Sequence, residues 1–277
     1  MGQIQIHNKQ KLIKNSGVAP LDFTFLRYSF ILLVLLYASF CDFREREVPN
    51  KVWYIAVPIG MLLVFTDFFW KIINLQSLII SIVFSIILGV SMFYIGFLGG
   101  ADAKAIIFIG FTIPSYPIGF SPLLGDIFAI PVLTVFLNSL IISLSVPLWV
   151  FLTNLIEILG GKHLFNGVEA SLLGKIVLFF TAKRISLEKL RKSLAYFPAE
   201  KPVKKGDSLI REPIYFIKAE EDVTKIINVL NEKQDIYVDG LLASPTIPLI
   251  IFITIGLVLL PCGNVFFWLI SSVLNFS

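Results

Sequence analysis

Apolar residues run along this chain in long blocks, divided by short polar breaks rather than alternating with them. Phe23–Cys41, Val52–Trp70 and Gln76–Leu98 each come close to the ~20 residues that a helix needs to cross a bilayer. Ala103–Ile113 is equally apolar but only about half that length. Pro114–Gly125 is rich in Pro and Gly and reads as a loop. Asp126–Leu159 is a very long apolar run, in which Pro131 and Pro147 predict kinks. Pro245–Ile270 is the last block, interrupted by Pro261 and Gly263. The pattern predicts about six transmembrane helices, the fourth of them short.

Between the last two blocks the pattern changes. Gly160–Gly240 holds 14 of the 23 Lys and Arg and 11 of the 19 acidic residues, and reads as an aqueous domain. Its Ser171–Arg184 stretch is apolar with basic flanks, the kind of segment that lies on a membrane surface. Pro213–Lys218 reads as a strand, Glu220–Glu232 as a helix and Asp235–Leu242 as a second strand, a small βαβ-like unit. The expected fold class is an all-α polytopic membrane protein, about six helices, with a small α/β cytoplasmic domain inserted before the last helix. The expected divisions are a tail over 1–22, a membrane domain over 23–159, a soluble domain over 160–244 and the last helix over 245–273.

Composition agrees: 56% of residues are hydrophobic and the mean hydropathy is +0.85. Two cysteines give neither a disulfide framework nor zinc spacing. The acids of the aqueous domain nearly balance its bases, so a solvated face near lipid is expected and nucleic acid is not. Helix parity puts the ends of the first and third blocks and the aqueous domain on one side. Arg44, Arg46, Lys51, Lys104 and the domain's bases fall there too, and the positive-inside rule makes that side cytoplasmic. Lys9, Lys11 and Lys14 in the tail oppose this assignment.

Two carboxylates sit at block ends on that side: Asp42 after the first block, and Asp102 in Gly99-Gly100-Ala101-Asp102-Ala103-Lys104. A carboxylate at the edge of a membrane bundle is costly and marks a functional candidate. Two carboxylates close together cannot both ionise easily, so one serves as acid and the other as base. Such a pair can activate water and protonate a leaving amine, which suffices to hydrolyse a peptide bond without a metal or organic cofactor. Gly99 and Gly100 allow positive φ and close backbone approach. Lys104, and likewise Arg44 and Arg46 beside Asp42, favour an ionised carboxylate or bind headgroups. Taken singly, Asp102 reads as a helix N-cap and Asp42 as an ordinary boundary charge. Charged Asp42–Lys51 reads as a turn, with Pro49 ending any helix, and Trp53 and Trp70 as an aromatic belt.

Asp42-x-Arg44-x-Arg46-x-Val48-Pro49-Asn50 together with Gly99-Gly100-Ala101-Asp102-Ala103-Lys104 resembles the motifs of the type IV prepilin peptidases, polytopic GxGD aspartic proteases. The long aqueous domain before the last helix is most similar to the archaeal preflagellin and prepilin peptidase branch. One residue departs from the pattern: Ala101 stands at its second glycine. The resemblance implies an aspartic endopeptidase with Asp42 and Asp102 catalytic. Gly99, Gly100, Ala101, Lys104, Arg44, Arg46, Pro49 and Asn50 are its motif support. It implies a pilin-like or flagellin precursor as substrate, with a basic leader and an apolar helix, cut at the cytoplasmic membrane edge. Glu45 and Glu47 would attract that leader. The N-methyltransferase activity of the bacterial branch is not expected, since the four-cysteine zinc loop that accompanies it has no counterpart between the first two blocks. Beside this stands a proton-coupled membrane transporter with the aspartates as relay. Their place at block ends, and the lack of a visible repeat, favour the peptidase.

Overall fold

The structure is a computed structural model that describes residues 24–274, apart from 117–119, 125–127, 129, 194, 206–207, 216–225, 227–228 and 231–233. The tail expected over 1–22 lies outside the described residues. Helix α1 spans Thr24–Glu45, α2 Asn50–Phe69, α3 Leu75–Tyr94 and α4 Gly100–Thr112. The run expected from Asp126 becomes α5, Pro131–Ser143, and α6, Ser145–Leu159. Four helical stretches, α1, α2, α3 and α5–α6 together, are long and apolar enough to cross a membrane. A bent pair near the C-terminus would make a fifth. The chain is mostly helical, with a small sheet region.

Several boundaries differ from expectation for local reasons. The first helix does not stop before Asp42 but carries it in its last turn; Arg46, at φ +57°, ends it, its N–H bonded to the Asp42 carbonyl at 3.0 Å. Pro49 ends no helix and instead stands at the N-cap of α2, where its missing N–H costs nothing. Pro131 starts α5 rather than kinking it, for the same reason. The break falls at Leu144, before Pro147, whose ring would meet the carbonyl of Ser143. Trp53 is no belt residue: it is 5% exposed and packs edge-on against Phe108 at 6.0 Å.

Helix α4 is too short to span alone, yet it is the centre of the membrane domain. Ala103, Ala105, Ile106, Phe108 and Ile109 are buried among α1, α2, α3, α5 and α9, the last spanning Leu249–Val258. A helix apolar all round is expected where protein surrounds it on every side. Small residues bring α4 close to its neighbours, as membrane helices require. A Cβ on Gly110 would overlap the Ser85 side chain, one on Gly60 would overlap Thr112, and one on Gly89 would lie 3.0 Å from the Ala103 carbonyl. Ser81 Oγ donates to the Gly110 carbonyl at 2.8 Å.

After α6 come α7 (Leu172–Thr181), β1 (Lys183–Ile185), α8 (Leu187–Lys192), β2 (Tyr196–Pro198), β3 (Glu200–Lys205), β4 (Ser208–Pro213) and β5 (Leu241–Pro245). Among the described residues no βαβ unit is seen. Strand β5 lies between β1 and β2 and is antiparallel to both, while β3 and β4 form a hairpin. The expected second strand starts late, because Gln234–Tyr237 is a 3-10 turn and Gly240, at φ +88°, turns the chain. A Cβ there would sit 2.6 Å from the Ile185 carbonyl, so only glycine fits. The first expected strand ends at Pro213, and the helix expected over Glu220–Glu232 lies largely outside the described residues. Glu200 and Arg211 form a buried ion pair, and Arg211 also donates to the Gly240 carbonyl at 2.8 Å.

Pro245, expected to open the last span, is the final residue of β5; α9 starts four residues later. The expected interruption is present. A 3-10 turn at Leu260–Cys262 and Gly263, at φ +97°, separate α9 from α10 (Val265–Leu274), and the two halves meet at 46°. Asn138 of α5 supports this break from its buried side chain. It donates to the Gly263 carbonyl and accepts from the Val265 N–H, both at 2.9 Å. Backbone groups freed inside a membrane domain need such partners.

Candidate active site

Asp42 and Asp102 occupy the same end of the membrane domain, one at the C-terminus of α1 and the other at the N-terminus of α4. Both are half-buried. Helix α4 begins with Gly99 at its N-cap, extended at φ −70° and ψ 163°, so Asp102 is the third helical residue and not the cap. Its Oδ2 reaches back and accepts the Gly99 N–H at 3.0 Å. A carboxylate in this first turn also meets the positive end of the helix dipole.

The glycines act through space rather than through positive φ. A Cβ on Gly99 would stand 3.0 Å from Asp102 Oδ2, while Gly100 is already helical. The left-handed position of this turn belongs to Gly96, at φ +82°. Ala101 then needs no explanation as a departure from Gly. It is a helical residue packed on the core, a place alanine fills without strain.

The two motifs touch. Lys104 Nζ donates to Asn50 Oδ1 at 2.6 Å, a bond between residues 54 positions apart in the chain. Cys41, Val48, Trp53, Leu98, Ala105 and Ile106 form one continuous apolar floor beneath that bond. The charge of Asp42 reaches Asp102, and the Arg46 guanidinium acts on Asp42 in turn. Arg44, Pro49, Glu45 and Glu47 are exposed around this end. The arrangement brings two half-buried carboxylates to one rim of an apolar bundle, with cations near them. Such a pair can activate a water and supply a proton to a leaving group.

Two features were not singled out in the sequence. Helix α9 packs on α4, and the Ile250 N–H in its first turn acts on the Asp102 carboxylate. The proline that precedes an apolar run, Pro248, signals such a helix start, but nothing in the pattern aims it at Asp102. The other is an ion pair at the opposite end of the same helices. Arg27 Nε lies 2.8 Å from Asp67 Oδ2, both side chains are buried, and Arg27 also donates to the Thr112 carbonyl at 3.1 Å. An arginine and an aspartate inside apolar blocks are the signal that could have found it.

Residues 29–159, which include both aspartates, match the model of the type IV leader peptidase family. The preflagellin peptidase of Methanococcus voltae is 31% identical over 175 residues, covering 60% of this chain and 70% of the relative. That of Methanococcus maripaludis is 28% identical over 248 residues, covering 85% and 94%. That of Methanocaldococcus jannaschii is 31% identical over 135 residues, covering 44% and 55%.

Proposed function

Because this chain belongs to the type IV leader peptidase family, in its archaeal preflagellin peptidase branch, we propose that it cleaves basic leader peptides from flagellin or other type IV pilin-like precursors at the cytoplasmic edge of the membrane. It is an aspartic-type peptidase of a membrane. Asp42 and Asp102 are the catalytic pair. The ionised member takes a proton from water as the water oxygen attacks the scissile carbonyl. The protonated member donates to the carbonyl oxygen. When the tetrahedral intermediate collapses, the C–N bond breaks and the amine leaves with a proton from the pair.

The observation that carries this reading is the Lys104–Asn50 hydrogen bond, which joins the two aspartate-bearing motifs at one end of the bundle. Gly99 leaves room for the Asp102 carboxylate, and Lys104, Arg44 and Arg46 supply positive charge near the pair. Pro49 and Asn50 start α2 beside it. Reading the short α4 and the α9–α10 pair as crossings makes six, and that count supports a cytoplasmic side for both aspartates and the 160–244 domain. The substrate's apolar helix then rests against the bundle in lipid, with its basic leader near Glu45 and Glu47. A relay through the bilayer has less support, because both carboxylates lie at one rim.

Co-expression with a flagellin precursor tests the assignment. Wild type shortens the precursor; Asp42→Asn and Asp102→Asn, both still inserted in the membrane, leave it uncut. Processing that survives either substitution refutes the pair.

A further inference from the structure

Helix α6 leaves the bundle and packs chiefly on α7 and β1. The two helices form a hairpin held by Phe151, whose ring stacks on Phe180 at 4.9 Å and meets Phe179 edge-on at 5.3 Å. Asn154 closes it, donating to the carbonyls of Phe179 and Ala182 at 2.8 and 2.7 Å. One side of α7 is buried against the soluble domain, Leu178 in a cluster with Leu164, Val168 and Leu242 and Gly174 against Tyr215.

The other side faces outward and is apolar along its whole length. Leu172, Leu173, Ile176 and Val177 are between 46% and 77% exposed. Their spacing places them on one helical face. Leu152, Leu155, Ile156 and Leu159 are likewise exposed on α6. An exposed apolar surface this continuous marks an interaction site.

Lipid is the occupant that the geometry favours. Pro131–Leu159 is one apolar stretch of 29 residues, about 43 Å long at the helical rise, against a hydrocarbon core of about 30 Å. A stretch this long stays in lipid by tilting, which lays its end along the leaflet, so the exposed face of α6 and α7 continues the lipid-facing surface of the bundle. The rim is basic. Lys183 Nζ sits 4.6 Å over the Trp149 ring, and Lys175 lies on α7 itself. A tryptophan with a lysine against it belongs at headgroup level.

We propose that α7 is seated in the leaflet on the soluble-domain side, its apolar face among the acyl chains and Lys175 and Lys183 at anionic headgroups. The seat matters for the site. Helix α7 runs through Ala182 into β1, which pairs with β5 in the register Lys183↔Ala243. Strand β5 leads through Pro248 into α9, which packs on α4, the helix that carries Asp102. The leaflet thus sets the height of the soluble domain against the carboxylate pair.

The test uses the full chain in phosphatidylcholine vesicles, with and without phosphatidylglycerol, and needs no activity. Cys41 and Cys262 are replaced by alanine, and a nitroxide is attached at Leu173→Cys, at Ile176→Cys as a second reporter, or at Lys201→Cys on exposed β3 as a water reference. Labels at 173 and 176 are expected to collide with dissolved oxygen, and to meet a water-soluble nickel chelate about tenfold less often than the label at 201. Lys175→Glu should shift both labels toward water only when phosphatidylglycerol is present. Labels at 173 and 176 that behave like 201 overturn the proposal. So does protection that vanishes when protein is diluted in lipid, which assigns the face to a second copy. An equal effect of Lys175→Glu in both lipids overturns the headgroup contact.

Discussion

The Lys104–Asn50 bond is the most direct test of whether the two motifs act as one site. Lys104→Met keeps the length of the side chain and removes its charge, and Asn50→Leu keeps the shape and removes the acceptor. The bond is short, at 2.6 Å, and its donor is charged, but both side chains are exposed. A charge-assisted bond contributes about 1.5–3 kcal/mol when sheltered, and exposed charged pairs only about 0.2–1 kcal/mol. We take about 1 kcal/mol, which corresponds to about a fivefold change in rate. If the bond aligns α2 and α4 for reaction, each single substitution lowers kcat/KM by about fivefold and the double substitution by no more than that. The assay is the rate of precursor shortening by purified enzyme, read by electrophoresis under substrate-limited conditions, for all four combinations. If Lys104 also favours the ionised carboxylate by its charge, Lys104→Met loses more than Asn50→Leu, and the excess measures that second role. Fully additive losses, or an Asn50→Leu enzyme as fast as wild type, would refute the alignment.

Gly99→Ala should lower kcat by about tenfold while leaving the melting temperature in detergent nearly unchanged, because its Cβ would crowd the Asp102 carboxylate and nothing in the core. Gly110→Val should instead destabilise the whole domain by about 1–3 kcal/mol, since its side chain would strike Ser85 across the α3–α4 seam; thermal unfolding reads this. Arg27→Ala leaves Asp67 buried without its partner and should cost about 3–5 kcal/mol, whereas Arg27→Met with Asp67→Leu restores most of the loss. Glu45→Lys with Glu47→Lys should raise KM for precursors with basic leaders more than for those with neutral leaders, and an unchanged KM removes their role.

What could be read from the chain was set by period and by cost. Long apolar blocks and isolated carboxylates at their ends stand out because the bilayer punishes both a polar backbone and a stray charge. The broken last helix was legible on those grounds, and the family from the motifs around Asp42 and Asp102. Contacts between distant positions leave no such mark. Nothing in the pattern pairs Arg27 with Asp67, packs α9 on α4 or places Asn138 beneath the break. Trp53 misled because an aromatic at a block end has the same signature whether it faces headgroups or a neighbouring helix. The soluble domain misled because strand direction depends on partners outside the local pattern. The antiparallel β1–β5–β2 order follows from pairings across 45 to 60 residues.

The same contacts assign different mechanical roles to the two aspartates. Asp102 rides on a helix fixed at both ends. At one end are the Gly99 N–H and the Lys104–Asn50 bond; at the other, Arg27 holds the Thr112 carbonyl while it pairs with Asp67. Along its length, α4 is held against α2 and α3 where a single added methyl group would clash. Asp42 sits instead in the final turn of α1, ahead of a four-residue connection that contains the left-handed Arg46. Closing or opening the pair therefore costs least through the α1–α2 connection or the β5–α9 junction. It costs most through α4, where sliding would break the glycine seam and a buried ion pair at once.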